Sequence, residues 1–466
     1  MRSSLFLLLL LSGCVVGPNY HRPDLDIPES YTFEPDITAY TLDTSWWEHF
    51  NDPVLTDLIE QAACQNYDIL AAAARVNQAI GFLTQIRSGL FPQTGYFADY
   101  SRTRVSESGF TGLPFSLGIK NPYNEFDIGF AGSWDLDLFG RIKRETEAAC
   151  AGVYGANEAK KAVVLSVVSL TAKAYITLLG LDAQLEIATQ TLEAYQEEVT
   201  YFENQFKYGQ ASQMAVVQAK TQYEIAASTI PQVELDIINA EHALSVLLGI
   251  NPSRIPRGSK IEDLESPLIP AGIPSEILCQ RPDVLAAEYN LIAKNALIGA
   301  AQALYYPNIS LTGAFGQTSQ ELSNLFTGPA KAWNYTGSLT GPLFTFGNIY
   351  GQVEQAKAAA EEALWLYKNS VITAFRDVED ALAAHDYLKK KFDAQEKLVA
   401  ASGEYVHLAQ LQFKGGYSPY FVVLQAQEQY FPAQLSWVQT RVELLNSVIS
   451  TYQAMGGGWI DCLDYH

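Results

Sequence analysis

The sequence predicts a mixed α and β membrane protein, built as a tandem repeat of a strand pair followed by a long helical hairpin. The clearest sign of the repeat is that residues 206–223, FKYGQASQMAVVQAKTQY, and residues 413–430, FKGGYSPYFVVLQAQEQY, are identical at 8 of 18 aligned positions. In each copy, stretches with a period of two precede a long stretch without proline, whose apolar side chains follow a helical period. Each copy therefore combines strands with a long helix.

Two offsets relate the copies. Corresponding residues of the two copies are separated by a fixed number of positions, which we call the offset. From the start of each copy to Pro92 and Pro307 the offset is the longer of the two, and this long offset takes Pro92 to Pro307. Further along they are related by a short offset, which takes Gly140 to Gly347. The first copy therefore carries 8 extra residues between Pro92 and Gly140. We expect these extra residues to enlarge the loop 106–123.

Each copy is expected to start with a helix of about 24 residues, which begins at Asp68 in the first copy and at Asp283 in the second. Both helices stop before a proline, because the residue that precedes proline is disfavoured in the helical region. The strands are expected at 94–105, 126–138, 309–316 and 333–343. Along them, large apolar residues alternate with small or polar ones, which is typical of strands in a membrane barrel.

The long helices and their return arms are expected at 141–205, 211–248, 348–412 and 418–455. A helix of 65 residues is about 100 Å long. Apolar residues recur in steps of three and four along the hairpins, which favours coiled-coil packing. The short helix and the return arm together nearly match the long helix in length, so we expect them to stack end to end beside it. Pro231 and Pro432 are expected to kink the return arms.

Composition excludes several classes of function. The chain has 51 acidic and 30 basic residues and a formal charge of −21, which argues against nucleic acid or an anionic lipid surface as the main partner. The 6 histidines form no HExxH helix, and the sequence contains neither a GxSxG elbow nor a GxxxxGK[ST] loop. We therefore predict no catalytic site, metal site or cofactor, and no enzymatic activity.

The N-terminus MRSSLFLLLLLSGC has the layout of a secretory signal, with Arg2, an apolar run and small residues before Cys14. The last four residues match the lipobox of bacterial lipoproteins, so Cys14 is the predicted site of lipid attachment. Val15 follows Cys14 where an aspartate would favour the inner membrane, which points to the outer membrane. The other cysteines are far apart and are expected to be buried free thiols or an unpredictable disulfide: Cys64, Cys150, Cys279 and Cys462.

Four strands in one chain cannot close a barrel, and an open sheet edge in lipid would leave backbone hydrogen bonds unsatisfied. If the strands enter a membrane, oligomerisation is required. A dimer would supply 8 strands, whose interior side chains would fill the lumen, whereas a trimer would supply 12 strands and leave an opening. A homotrimer therefore fits a conduit better.

The sequence resembles the TolC-like outer-membrane factor family, in its lipoprotein branch. The matching stretches cover nearly the whole chain: GCVVGPNYHRP at 13–23, WWEHFNDPVLTDLI at 46–59, SWDLDLFGRIK at 133–143, RPDVLAAE at 281–288, YYPNISL at 305–311, GPLFTFGNI at 341–349 and AMGGGW at 454–459. The resemblance implies a homotrimeric 12-stranded β-barrel in the outer membrane, continued by a periplasmic α-helical barrel. It also implies a passive exit duct for small toxic solutes or drugs, which meets an inner-membrane transporter through a periplasmic adaptor protein.

Two groups of site residues follow from the resemblance. The adaptor is expected to contact the two hairpin tips: Tyr208, Gly209, Gln210, Ala211, Ser212, Gly416, Tyr417, Ser418 and Pro419. The periplasmic constriction is expected at Phe421, Val422 and Gln425. The family commonly places an aspartate in this constriction, so Gln425 departs from the pattern, and three neutral amides would neither repel one another nor attract cations as carboxylates do.

The expected organisation is a signal peptide at 1–13, an N-terminal lipid tether and equatorial segment at 14–65, and a first repeat at 66–249. A connector at 250–280 in the same equatorial belt leads to a second repeat at 281–456 and a C-terminal tail at 457–466. Two alternative functions remain open from the sequence. One is an outer-membrane duct for protein secretion, and the other is a periplasmic scaffold lipoprotein without a channel.

Overall fold

The computed structural model of the protein describes residues 15–25, 27, 31–33, 45–106, 121–269 and 280–457. Its elements follow one order twice, with one additional helix in front. That helix is α1, Pro53–Gln65. The first copy contains α2 (Tyr67–Ser88), β1 (Gln93–Thr103), β2 (Tyr123–Leu136), α3 (Arg141–Lys207) and α4 (Gln213–Leu247). The second copy contains α5 (Pro282–Ala303), β3 (Asn308–Ser319), β4 (Lys331–Thr340), α6 (Asn348–Lys414) and α7 (Tyr420–Ala454).

The predicted repeat is confirmed by the lengths of the elements. Helices α3 and α6 have 67 residues each, and α4 and α7 have 35 residues each. Helices α2 and α5 have 22 residues each, slightly fewer than expected. The loop between β1 and β2 covers 104–122 and the loop between β3 and β4 covers 320–330. The first loop is longer than the second by 8 residues, which is the number of extra residues that the first copy carries. The extra residues therefore lie where they were predicted.

The four strands form one antiparallel sheet in the order β1-β2-β3-β4. The two hairpins also have corresponding registers, because Gln93 pairs with Ser133 in the first and Asn308 pairs with Thr340 in the second. Pairing of β2 with β3 joins the two copies, with Gly132 opposite Gly313. The strand pair of each copy is therefore one repeated unit.

The short and return helices meet end to end, as predicted. Asn66 accepts hydrogen bonds from the first backbone N–H groups of α2 and donates one from Nδ2 to the carbonyl of Leu247, 2.9 Å away, at the end of α4. At the corresponding place in the second copy, Arg281 Nη1 donates to the carbonyl of Ala454, 3.1 Å away. Each junction thus satisfies a helix C-terminal carbonyl that would otherwise lack a partner.

One helix, in front of the first repeat, was not predicted. Helix α1 follows a 3₁₀ turn at Trp46–Phe50, and the rings of Trp46, Trp47 and Phe50 are buried. Asp52 caps α1 through two backbone N–H groups, which explains where the helix begins. Pro231 and Pro432 each lie within a helix that continues on both sides of the proline, and the kinks expected there stay a prediction.

Contact density divides the chain into two compact units, and each unit takes segments from both repeats. One comprises Met1–Pro23, Val76–Gly155 and Ala287–Tyr367, which include all four strands. The other comprises Asp24–Arg75, Ala156–Ala286 and Lys368–His466, which include α1, both return helices and the ends of the long helices that lead to them. Among the described residues, only α3 is long and apolar enough by composition to cross a membrane, and 61% of its most apolar window is buried in the protein.

Candidate functional site

The two hairpin tips have the same backbone geometry. After α3, Gly209 adopts φ +66° and the N–H of Gln210 donates to the carbonyl of Gln205 over 2.8 Å. After α6, Gly416 adopts φ +75° and the N–H of Tyr417 donates to the carbonyl of Gln412 over 2.9 Å. Glycine suits this left-handed position, and the bonds satisfy carbonyls at the helix end.

The tips differ in how the return helix begins. The Ser212 hydroxyl accepts a hydrogen bond from the N–H of Ala215, so it caps α4. Pro419 is the corresponding N-cap residue of α7 and makes no side-chain cap. Most predicted tip residues are exposed, and Tyr417 is 89% exposed. The structure therefore brings each predicted group together at a solvent-facing turn.

Behind the tips, the two hairpins share one apolar core. Its buried members are Val199, Phe202, Val216, Ala219, Ala409, Tyr420, Val423, Leu424 and Ala426. We call this group the tip core. Its most closely packed aromatic contact joins Phe202 of α3 to Tyr420 of α7, with ring centroids 4.1 Å apart. The first hairpin thus supports the start of the second return helix directly.

A half-buried carboxylate lies beside the tip core and was not predicted. Glu198 accepts hydrogen bonds from the hydroxyl of Tyr420 over 3.0 Å and from Nε2 of Gln427 over 2.7 Å. Burial raises the pKa of Glu198, while these two hydrogen bonds and the charge of Lys414 oppose the rise. Burial and the nearby charge of Glu198 raise the pKa of Tyr420 above its usual value. Glu198 therefore ties α3 to α7 immediately behind the second tip.

The predicted constriction residues take two different positions. Phe421 is 62% exposed and Gln425 is exposed, and residues four apart lie on the same face of a helix. Val422 is half-buried and packs against the tip core. Only Phe421 and Gln425 therefore present their side chains to solvent together.

The sheet has one aromatic face and one polar face. Four directly paired residues form a row across the aromatic face: Tyr96, Phe130, Phe315 and Trp333. All four are largely exposed. On the other face, Asp127 pairs with Asp99 of β1, and its carboxylate accepts a hydrogen bond from the hydroxyl of Thr318 over 2.5 Å. A sheet that exposes aromatic rings on one face and carboxylates on the other suits a boundary between lipid and water.

Both outer edges of the sheet lack a partner within the described part of the chain. Strands β1 and β4 stand at the two ends of the strand order, with 11 and 10 residues. An unpaired edge of this length presents a row of backbone donors and acceptors, to which another strand can add.

The segment directly after Cys14 is held against the start of α3, in a contact that was not predicted. The buried guanidinium of Arg144 donates to the carbonyls of Val16 and Gly17 over 3.1 and 3.0 Å, and to Oδ1 of Asn19 over 2.9 Å. Cys14 itself lies outside the described residues. Cys64 is disulfide-bonded and Cys150 is a half-buried free thiol, and the other two cysteines are also outside the described residues.

Comparison with known proteins gives a consistent match. The family model described as outer membrane efflux protein matches residues 58–250 and 273–457. The chain is 30% identical to the probable outer membrane lipoprotein SilC of Salmonella typhimurium over 98% of both chains. It is also 30% identical to the cation efflux system protein CusC of Escherichia coli over 97% of both chains. Its fold matches the crystal structure of the Campylobacter jejuni CmeC outer membrane channel with a TM-score of 0.89 and 26% identity, covering 96% of this chain and 95% of that one.

Proposed function

This chain belongs to the outer membrane efflux protein family, and we propose that three copies of it form the exit duct of a tripartite efflux system. As a member of this family, the chain is an outer-membrane efflux channel. In the proposed trimer, three four-stranded sheets close a 12-stranded barrel. The helical hairpins form a second barrel in the periplasm.

The open sheet is the observation that carries this proposal. In lipid, the free edges of β1 and β4 would leave backbone groups without hydrogen bonds, each at a cost of several kcal/mol. Closure with further copies removes both edges and places the row from Tyr96 to Trp333 toward lipid. In a periplasmic scaffold without a channel, this row of aromatic side chains would be exposed to water. Twelve strands leave an open lumen, whereas eight strands are filled by their own side chains.

We expect the purified protein to run as a heat-modifiable trimer in SDS gels and to conduct ions in a planar lipid bilayer. Protein that has been boiled and diluted under the same conditions is the control and should give no channels. The same sample can be weighed by mass spectrometry, because the proposal includes acyl chains on Cys14 of the mature N-terminus. A monomer without conductance would contradict the duct, and an unmodified Cys14 would contradict only the lipid anchor.

The proposed cargo is small toxic solutes or drugs, delivered by an inner-membrane transporter through a periplasmic adaptor protein. The name of the relative CusC refers to cation efflux, which supports a small solute. A duct for secreted proteins would share the fold, but both relatives and the family model carry names from the lipoprotein or efflux group. Energy comes from the transporter, and the duct conducts passively.

The adaptor is proposed to contact the tips, where exposed backbone and aromatic rings are available on both hairpins. A photoreactive benzoylphenylalanine in place of Tyr417 should crosslink to the periplasmic adaptor in the native host, as identified by mass spectrometry. Tyr387 is a matched control, because it is also an exposed tyrosine, 62% accessible, but lies on the body of α6. Equal crosslinking from both positions would contradict the proposal that the adaptor contacts the tips specifically.

A further inference from the structure

The inter-protomer contact can be specified residue by residue, because each chain already contains a copy of it. Strand β2 is the second strand of the first repeat, and β3 is the first strand of the second repeat. These two strands pair inside the chain. Strands β4 and β1 occupy the corresponding places at the two open edges. The same type of contact is therefore available between β4 of one protomer and β1 of the next.

The observed hairpins show that the two offsets preserve register. Moving the first strand of a hairpin forward by the long offset and the second by the short offset converts the pair Gln93–Ser133 into Asn308–Thr340, which is observed. The pair Asp99–Asp127 likewise becomes Ala314–Asn334, which is also observed. The two offsets thus map the register of one hairpin onto the other without a slip.

We infer that the same offsets give the register of the seam between protomers, an inference that rests on the proposed trimer. Inside the chain, Ile128 of β2 pairs with Gln317 of β3. The short offset takes Ile128 to Tyr335 of β4, and the long offset relates Gln317 to Arg102 of β1. Tyr335 therefore lies opposite Arg102 of the partner subunit. Gly132 pairs with Gly313, which places Leu339 opposite Ala98 of the partner subunit. The seam is antiparallel, like the three pairings within the chain.

This register keeps the two faces of the sheet continuous across the seam. Tyr335 and Leu339 lie on the aromatic face of β4, and Ala98 and Arg102 lie on the aromatic face of β1. A slip by one residue would instead bring aromatic and polar faces together on each side. The register also sets the guanidinium of Arg102 beside the ring of Tyr335, where a cation is attracted to the aromatic face.

A second contact transfers in the same way. Phe139, which follows β2, stacks on Tyr306, which precedes β3, with ring centroids 4.6 Å apart. The short offset takes Phe139 to Phe346, and the long offset relates Tyr306 to Phe91. Within one chain, Phe346 is 101% exposed and Phe91 is 62% exposed. In the inferred seam, Phe346 stacks on Phe91 of the partner subunit, which covers both rings.

Disulfide crosslinking tests the register directly. Directly opposite residues on neighbouring strands have Cβ atoms about 4.5–5.5 Å apart, within reach of a disulfide after a small adjustment. We expect the double variants Leu339→Cys with Ala98→Cys, and Ser338→Cys with Asp99→Cys, to form reducible covalent dimers and trimers on oxidation. The two pairs lie on opposite faces, so one of them is the closer, non-hydrogen-bonded type.

The matched control is Leu339→Cys with Arg102→Cys. These residues share a face, but the target is shifted by four residues along β1, about 13 Å. It should give no more crosslinking than the single variants or the wild-type chain with its own cysteines. Stronger crosslinking of the shifted pair, or a wild-type trimer in which neither expected pair crosslinks, would overturn the register and leave the trimer intact. A wild-type monomer would overturn the trimer and the register together.

Alanine variants test the aromatic contact. Phe346→Ala and Phe91→Ala should each lower the temperature at which the trimer dissociates in SDS gels. The double variant should dissociate at about the same temperature as the less stable of the two single variants, because each change removes the same contact between the two rings. Phe344→Ala is the control, since Phe344 is 80% exposed on the same segment and has no stacking partner in the inferred seam. Additive shifts, or an equal effect of Phe344→Ala, would contradict the contact.

Discussion

Arg281→Leu is expected to lower the free energy of unfolding of the compact unit that contains α1, α4 and α7 by about 2 kcal/mol, because the buried carbonyl of Ala454 loses its donor. Arg281 is 8% exposed and forms a bidentate ion pair with Asp283 over 2.7 and 3.0 Å. It also donates to Asp377 over 3.2 Å and to the carbonyl of Ala454 over 3.1 Å. Urea unfolding of the detergent-solubilised protein, followed by circular dichroism, measures the change.

Arg376→Leu is the matched control. Arg376 also forms an ion pair with Asp377, but its side chain is 65% exposed. Exposed ion pairs contribute at most about 1 kcal/mol, so this variant should stay close to the wild type. Equal losses in the two variants would show that burial of Arg281 is not what makes it important.

The Arg281 pair also makes stability depend on pH. Burial raises the pKa of Asp283, but the hydrogen bond and charge of Arg281 outweigh it, and the pKa lies below its usual value. The ion pair therefore stabilises the fold fully above the unfolded pKa of about 3.9 and is lost as the pH falls through the lower folded pKa. Arg281→Leu should flatten this acid-dependent loss.

Phe421→Ala is expected to raise the single-channel conductance in a planar bilayer by about two-fold or more, because three large rings are removed from the proposed constriction. Gln425→Ala should raise it less, since an amide is smaller than a phenyl ring. Gln425→Asp should increase selectivity for cations, because it places three carboxylates around the lumen. Both residues share one exposed face of α7, so the variants should leave the tip core intact.

The repeat supplies the control for the constriction. Met214 corresponds to Phe421 through the short offset and is 68% exposed on α4. Met214→Ala removes a comparable apolar side chain at the corresponding place on the first hairpin and should leave the conductance unchanged. If Phe421→Ala behaves like Met214→Ala, the constriction lies elsewhere.

Repeated features of the fold were predictable from the sequence, because each was present twice. The two offsets fixed the order of the elements, the position of the extra residues, and the turns at Gly209 and Gly416. Helix α1 precedes the first repeat, which was expected to begin with the helix at Asp68, so the comparison between the repeats did not predict it. Its buried stripe, with Leu55, Leu58 and Ile59, is the signal that could have identified it.

The candidate site was only partly predictable. The tips follow from their glycines and from the resemblance to known ducts, whereas Glu198 does not. Glu198 stands beside the heptad position Val199, where a charged residue ordinarily faces water. Its partial burial depends on Tyr420 and Gln427, which are far away in the sequence, on the second hairpin. The corresponding residue in the second repeat is Tyr405, so the repeat gave no indication of it.

The order of strands within one chain also has a kinetic consequence. Three of the four kinds of strand pairing needed for a closed ring are intramolecular, since β1, β2, β3 and β4 already lie side by side. These contacts form at an effective concentration set by the connecting chain and do not depend on expression level. Only the pairing of β4 with β1 requires an encounter between chains, and its rate falls on dilution. The rate of assembly should thus be limited by encounters between protomers whose four-stranded sheets are already formed. At low abundance the intermediate that accumulates would be a folded monomer, in which the edges of β1 and β4 are free to pair with another strand.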